Sequence, residues 1–259
     1  MKYRTIWISD LHLGTRGSNA RGLLDFLRQT ESDTLYLVGD VIDIWQLKKD
    51  RYWPQEHNDV VQKILRKARK ATRVIVIPGN HDEFCSNFHG EYGNIEIKPH
   101  DVYTTAAGRR ILVMHGHEFD AVTMHAKWLA LLGDMGYTLL LKANRPLNLV
   151  RRLFGFEYWS LSAYVKSSVK KVVSSISDFE EAVARYAGRF HVAGIICGHI
   201  HTPAVKQIRG VDYYNTGDWV ESSTALVEHF DGTIQLLHWK LSESAPVDLA
   251  DQTALLLTA

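Results

Sequence analysis

The chain has 259 residues, 46% hydrophobic and 23% charged, with 18 Gly and 6 Pro, a globular composition that argues against a chain dominated by disorder, a collagen-like repeat or a disulfide scaffold and fits one large domain or a domain with a sizeable insertion. Thirty Lys and Arg against 29 Asp and Glu leave a net charge of +1, so no whole-molecule field draws the protein onto nucleic acid and any anion site must be local. Two cysteines, Cys85 and Cys197, are too few for a disulfide framework; with no apolar leader and no apolar run of ~18 residues, the expectation is a cytoplasmic protein, neither secreted nor membrane-spanning.

In chain order, short apolar runs predict buried strands at Thr5–Ser9, Thr34–Val38, Val74–Ile77, Ile111–Met114 and Ile195–Cys197. Between the first three lie helix-length segments, Asn19–Gln29 and Gln55–Ala71, the second with Val60, Val61, Ile64, Leu65 and Ala68 at helical spacing. Strand and helix alternating in this way predict a largely parallel sheet. After Gly198 four extended runs follow, Ala204–Arg209, Val211–Asn215, Ser223–Phe230 and Thr233–Trp239, punctuated by Gly210, Gly217 and Asp231-Gly232. They predict an antiparallel meander, and the whole reads as an α/β protein with two sheets face to face and helices outside.

The stretch 118–189 breaks that alternation. It is helical by composition and rich in Leu, Trp, Tyr and Phe, with Asp178 and Glu181 predicting the start of a short closing helix. The expected organisation is therefore a core from 1–117 and 190–241, a helical cap at 118–189, and a tail at 242–259. From Lys127 to Lys171 eight basic side chains face two acidic ones, a local excess of six. That excess fits either a solvated amphipathic face or a binding surface.

Five motifs sit at strand ends: Asp10-Leu11-His12, Gly39-Asp40-Val41-Ile42-Asp43, Gly79-Asn80-His81-Asp82, His115-Gly116-His117 and Gly198-His199-Ile200-His201. A parallel sheet gathers its strand ends on one edge, and in an extended segment residues i and i+2 point the same way, so Asp10 with His12, and His199 with His201, are expected to converge. Glycines before Asp40, Asn80 and His199 are expected to permit the tight turns that aim those side chains. Imidazoles, carboxylates and an amide without a thiolate favour Mn, Fe or Zn over Ca or a structural Cys-zinc site. Seven such donors exceed what one ion takes from protein, which predicts two divalent ions sharing a carboxylate and a bridging water, a positive site suited to phosphate. Other histidines, such as His57, His89, His100, His125, His191 and His229, are expected to be surface or satisfied residues, and Cys85 a structural thiol.

The motif order from Asp10 to His201 resembles the calcineurin-like metallophosphoesterases. That resemblance implies a four-layer α/β/β/α sandwich. It implies one metal held by Asp10, His12, Asp40 and His201 and another by Asp40, Asn80, His115 and His199, with Asp40 bridging. It also implies a leaving-group acid at His81 oriented by Asp43. His117 is expected beside the metal site or substrate. The start Ile-Ser-Asp-Leu-His-Leu-Gly, the Gly-Asp-Val-Ile-Asp-Ile-Trp segment ending at Trp45 and the insertion after His115 are similar to the branch that hydrolyses UDP-2,3-diacylglucosamine. His81 stands where that branch has Arg, and His117 where it has an acidic residue. A paralogue acting on another phospholipid or a phosphomonoester, and a non-catalytic scaffold, therefore stay open. Trp45, His117, Tyr158, Tyr164, Lys166 and Lys170 are the expected substrate contacts for an amphipathic, lipid-linked phosphate, with cap-to-core packing the alternative for the aromatic residues. The basic cap further implies peripheral association with an anionic membrane face.

Overall fold

The computed structural model describes residues 1–119 and 161–240, with side chains in the second stretch from residue 173 onward. The expected tail at 242–259, the basic residues 127–152, and the side chains of Tyr158, Tyr164, Lys166 and Lys170 lie outside the described residues. Among those described, no helix is long and apolar enough to cross a membrane.

Strand β1 (Lys2–Ile8) leads through helix α1 (Ala20–Gln29) to β2 (Glu31–Val38), and helices α2 (Ile44–Asp50) and α3 (Gln55–Arg69) precede β3 (Arg73–Ile77). Short strands β4 (Gly90–Tyr92), β5 (Ile95–Ile97) and β6 (Asp101–Thr104) come before β7 (Arg110–Val113). Helix α4 (Leu161–Ala187) is followed by β8 (Gly194–Cys197), β9 (Ala204–Ile208), β10 (Val211–Asn215), β11 (Thr224–Glu228) and β12 (Ile234–His238). Strands β1, β2, β3 and β5 are parallel neighbours in a seven-stranded sheet of order β12-β11-β1-β2-β3-β5-β4; the second sheet runs β6-β7-β8-β10-β9, with β7, β8 and β10 parallel.

Side chains alternate with period two, as strands require. Ile6, Ile8, Leu35, Leu37 and Val74 pack outward against Leu23, Leu27 of α1 and Val60, Ile64 of α3. Trp7, Tyr36, Val38, Ile75 and Ile77 point inward and meet Ile111, Val113, Ile196 and Tyr214 of the second sheet. The outer face of that sheet, Leu112, Ile195 and Tyr213, is covered by Phe179, Val183 and Ala187 of α4. The result is an α/β/β/α sandwich. Trp7, with no exposed surface, stacks on Tyr36 at 5.8 Å between the sheets.

Two expectations give way. The last four strands form two hairpins in different sheets rather than one meander: β9 pairs with β10, which runs parallel to β8, whereas β12 pairs with β11, which runs antiparallel to β1. Gly217 begins the crossover, and the Asp218 carboxylate holds that loop by accepting the N–H groups of Val220 and Glu221. No helix starts at Asp178 either, because α4 runs through it unbroken. Its end, part of the segment set apart as an insertion, is the outer layer of the core.

Candidate metal centre

All five motifs lie on one edge of the sandwich, where β1, β2, β3, β7 and β8 end. The loops leaving them are tied together as if the ladders continued: Asp10 N–H donates to Gly39 O, His12 N–H to Asp40 O and Gly198 N–H to His115 O, at 3.0, 3.0 and 3.1 Å. Asp10, His12, Asp40, His199 and His201 are not extended; all have positive φ, from 46 to 70°. Convergence of each Asp/His or His/His pair therefore comes from consecutive tight turns and not from strand alternation. Left-handed backbone is least costly for Gly, Asn, Asp and His, the residue types found here.

Of the three glycines, Gly39 has the positive φ expected of a tight turn, at 82°. Gly79 and Gly198 serve a different purpose, namely room. A Cβ at Gly79 would strike Asp40 Oδ1, and one at Gly198 would strike Ser9 Oγ and Asp10 Oδ2.

Donor atoms gather in overlapping groups: Asp10, His12 and His201; Asp40, His115 and His199; and His12, Asp43 and His81, each with donor atoms within 4.8 Å of one another. His201 Nε2 lies 3.2 Å from both Asp10 Oδ1 and His12 Nε2. One oxygen, Asp40 Oδ2, is 3.9 Å from His12 Nε2 and 3.5 Å from His115 Nε2 and so faces the first two groups at once. Asn80 follows Gly79 on the turn packed against Asp40 and His115, and its buried Oδ1 accepts no hydrogen bond among the described residues.

Asp43 does more than its motif suggested. Its Oδ1 caps α2 by accepting Gln46 N–H at 2.8 Å, and its Oδ2 lies 2.9 Å from His81 Nδ1 and 3.2 Å from His12 Nδ1. The carboxylate hydrogen-bonds the His12 ring and lies within ion-pair distance of the His81 ring, and both Nε2 atoms face Asp40. Trp45, in the first turn of α2 and half exposed, lies 4.5 Å from the His81 ring, centroid to centroid. His117 is 5.5 Å from His115 by the same measure and belongs to none of the donor groups.

Sequence reasoning assigned no role to Asp82, Ser9 or the Val38 carbonyl. Buried Asp82 accepts N–H groups of Gly79 and Val41, both at 2.7 Å, and so staples the Asp40 turn to the Asn80 turn. Its place at the end of Gly79-Asn80-His81-Asp82 was the available signal. Ser9 donates to Asp10 Oδ2, and Val38 O accepts from His115 Nδ1 at 2.9 Å; neither contact leaves a mark in sequence.

Residues 3–203 match the family model described as calcineurin-like phosphoesterase. The chain belongs to this family. Among curated proteins it is similar to the UDP-2,3-diacylglucosamine hydrolases of Psychromonas ingrahamii (25% identical over 224 residues, 83% of this chain and 89% of the relative), Shewanella halifaxensis (27% over 230, 86% and 93%) and Ectopseudomonas mendocina (28% over 229, 85% and 91%). This calcineurin-like phosphoesterase is a metal-dependent hydrolase.

The electrostatics of the edge fit that class. Burial works against the carboxylates of Asp10 and Asp40, yet the imidazoles around them, His201 and His115 for Asp10 and His115, His12 and His81 for Asp40, hold both well below the ordinary carboxylate range. Burial likewise works against a charged His115, but Asp40 and Asp10 push its pKa up to about 10. Two buried carboxylates need positive charge beside them, from protons or from cations. With Nδ1–H donated to Val38, His115 turns toward Asp40 a buried Nε2 that makes no hydrogen bond among the described residues. Imidazole nitrogen fixed in this way is the usual form of a metal ligand. The donor set thus fits divalent cations. The Cys197 thiol faces Tyr214 O and Asn215 instead, and burial raises its pKa to about 12.

Proposed function

We propose that this calcineurin-like phosphoesterase is a dinuclear-metal phosphohydrolase cleaving the pyrophosphate of UDP-2,3-diacylglucosamine or a similar lipid-linked phosphate. The observation that carries the two-ion reading is Asp40 Oδ2, one oxygen facing two donor groups. Asp10, His12, Asp40 and His201 would hold one ion, and Asp40, Asn80, His115 and His199 the other. When bound, two ions of Mn, Fe or Zn supply a water nucleophile near neutral pH and neutralise charge building on phosphoryl oxygens. Asp43 keeps the His81 proton on Nδ1, so Nε2 faces the reaction space and, in the charged ring, delivers a proton to the leaving oxygen. Trp45 covers that ring. His117 borders the same edge as a substrate contact.

The substrate class rests on the relatives' printed activity together with the greasy, basic composition of 118–189. That segment is proposed as a cap whose Tyr158, Tyr164, Lys166 and Lys170 meet acyl chain and phosphate, and whose charge holds the protein to the cytoplasmic membrane face. A second reading, a paralogue releasing a more basic leaving group from another phospholipid or a phosphomonoester, is favoured by one feature: an imidazole, His81, stands at the edge with its Nδ1 2.9 Å from Asp43. The test is metal-loaded protein with UDP-2,3-diacylglucosamine, UMP followed by mass spectrometry, and a metal-free control. Metal-dependent UMP release supports the first reading. Hydrolysis of a phosphomonoester without UMP release supports the second, and no turnover of either substrate refutes both. Asp40→Ala and His115→Ala are each expected to abolish turnover in a folded protein; retained activity in both would refute the two-ion assignment.

A further inference from the structure

At the edge of the first sheet opposite the metal centre, where β2 and β3 begin and α1 and α3 end, a cleft of about 650 Å³ opens. Six cations line it, Lys2, Arg28, Lys63, Arg66, Lys67 and Lys70, against two carboxylates, Glu31 and Asp33. Cations commonly gather at helix C-termini, because each end carries about half a negative charge. Two helix ends account for about one charge, so with the two carboxylates neutralised an excess of about three positive charges remains.

The excess is not absorbed by ion pairs. Lys2 reaches Asp33 at 3.9 Å, but Arg28, Lys63, Arg66, Lys67 and Lys70 have no carboxylate within ion-pair distance among the described residues. Lys67 is only 7% exposed, and among the described residues its ammonium has one hydrogen-bond acceptor, the Thr30 carbonyl, for three donors. Burial first, and then the charge of Lys63, lower its pKa to about 8. Lys63 is lowered too, by burial and then by Lys70 and Arg28. A nearly buried ammonium short of acceptors is what a bound anion would satisfy.

We propose that this cleft is a second anion site, separate from the metal centre, which takes a small soluble ligand bearing more than one phosphate. Its volume falls within the range of small-molecule pockets, roughly 300–1,000 Å³. The described lining contains no aromatic side chain to stack a base and no large aliphatic one to hold an acyl chain, Ala71 being its single apolar residue. Recognition is therefore of charge and oxygen acceptors alone, which selects a compact polyphosphorylated molecule.

Amide-resolved NMR of the full chain, loaded with Mg²⁺, tests this with inorganic phosphate and then pyrophosphate in excess Mg²⁺. Saturable shifts are expected at residues 28–33 and 63–72, with pyrophosphate at least tenfold tighter than phosphate at those amides. Shifts near Asp40 and His115 report the metal centre separately. The variant Lys63→Ala/Arg66→Ala removes two side chains outside the catalytic edge; it should keep wild-type turnover while weakening the cleft titration at least fivefold. No saturable shift in the cleft with either anion, or equal affinity in the variant, overturns the proposal. Phosphatidylglycerol vesicles in phosphatidylcholine supply the other source of phosphate: vesicle binding that the variant loses, with no cleft response to soluble anions, would also overturn it by assigning the cleft to a headgroup.

Discussion

Replacing Asp43 by Asn separates two tasks carried by the two oxygens of one side chain. Oδ1 caps α2 by accepting Gln46 N–H, and only an oxygen can do that, so the amide nitrogen of Asn must occupy the place of Oδ2, beside His12 Nδ1 and His81 Nδ1. Both rings then accept at Nδ1 and carry their proton on Nε2. In His12 that puts a hydrogen, instead of a lone pair, toward Asp40 and His201. Asn and Asp cap helices about equally, so stability should change by only a few tenths of a kcal/mol, whereas Asp43→Ala loses the cap at about 1 kcal/mol, a fall of roughly 2–4 °C in Tm for a chain of this size. Metal affinity should move differently. Loss of a group that orients a ligand costs about 10–100-fold in metal affinity, and turnover should fall at least as far because His81 is misprotonated as well. Calorimetric melts, metal titration of the stripped protein and turnover on one substrate separate these effects. An Asp43→Asn protein with wild-type metal affinity and turnover would refute the tautomer argument.

The close packing at Gly198 predicts that Gly198→Ala, which drives a methyl into Ser9 Oγ and Asp10 Oδ2, destabilises by about 1–3 kcal/mol and weakens metal binding; Gly188→Ala, with nothing within 4 Å of the new methyl, is the control expected to be neutral in melts. For Lys67 the folded pKa of about 8 lies below the ordinary 10.5, so between those values the unfolded chain binds more protons and stability should rise with pH. Lys67→Met should flatten that rise in urea melts between pH 7.5 and 10, and an unchanged slope would contradict the burial of the ammonium. Asp43, held at about 2 by His12, Gln46 N–H and His81 against the effect of burial, contributes stability present above pH 4 and lost as pH falls through about 2; this loss should be missing from Asp43→Ala in acid titrations of the metal-free protein. Stripping the metal should lower Tm, and restoring it at 100 times its Kd should return about 2.7 kcal/mol; a Tm indifferent to metal would remove the link between site and fold.

Much of this architecture was legible because apolar runs and ligand-bearing punctuation are local signals. β1, β2 and β3 announced themselves by composition, and each ends one or two residues before a motif residue or its glycine. Pairing partners were not legible. The alternation at Tyr213 and Tyr214 states that both faces of β10 are covered, and the same pattern serves a strand beside β8 or one beside β11. The unbroken α4 was hidden by Asp178, whose side chain suits a helix start but is tolerated within one. Trp45 is different again: its distance to His81 depends on α2, a helix of seven residues with no buried face to give it a period.

The backbone of the metal edge was the least legible part, and it shows what the motifs cost the fold. Asp10, His12, Asp40, His199 and His201 all sit in the left-handed region, at about 1–2 kcal/mol each for residues with a Cβ. Together that is on the order of 5–10 kcal/mol, as large as the whole net stability of a typical domain. The surrounding structure must oppose it locally. Asp10 N–H bonds Gly39 O, His12 N–H bonds Asp40 O, Trp219 N–H bonds Asp10 O, His199 N–H bonds Asp10 Oδ2 and His81 N–H bonds Asp40 Oδ1, all at 2.9–3.0 Å. These bonds fix the strained residues through the backbone and the carboxylates of the neighbouring turns, so each turn of the donor cluster is tied to another.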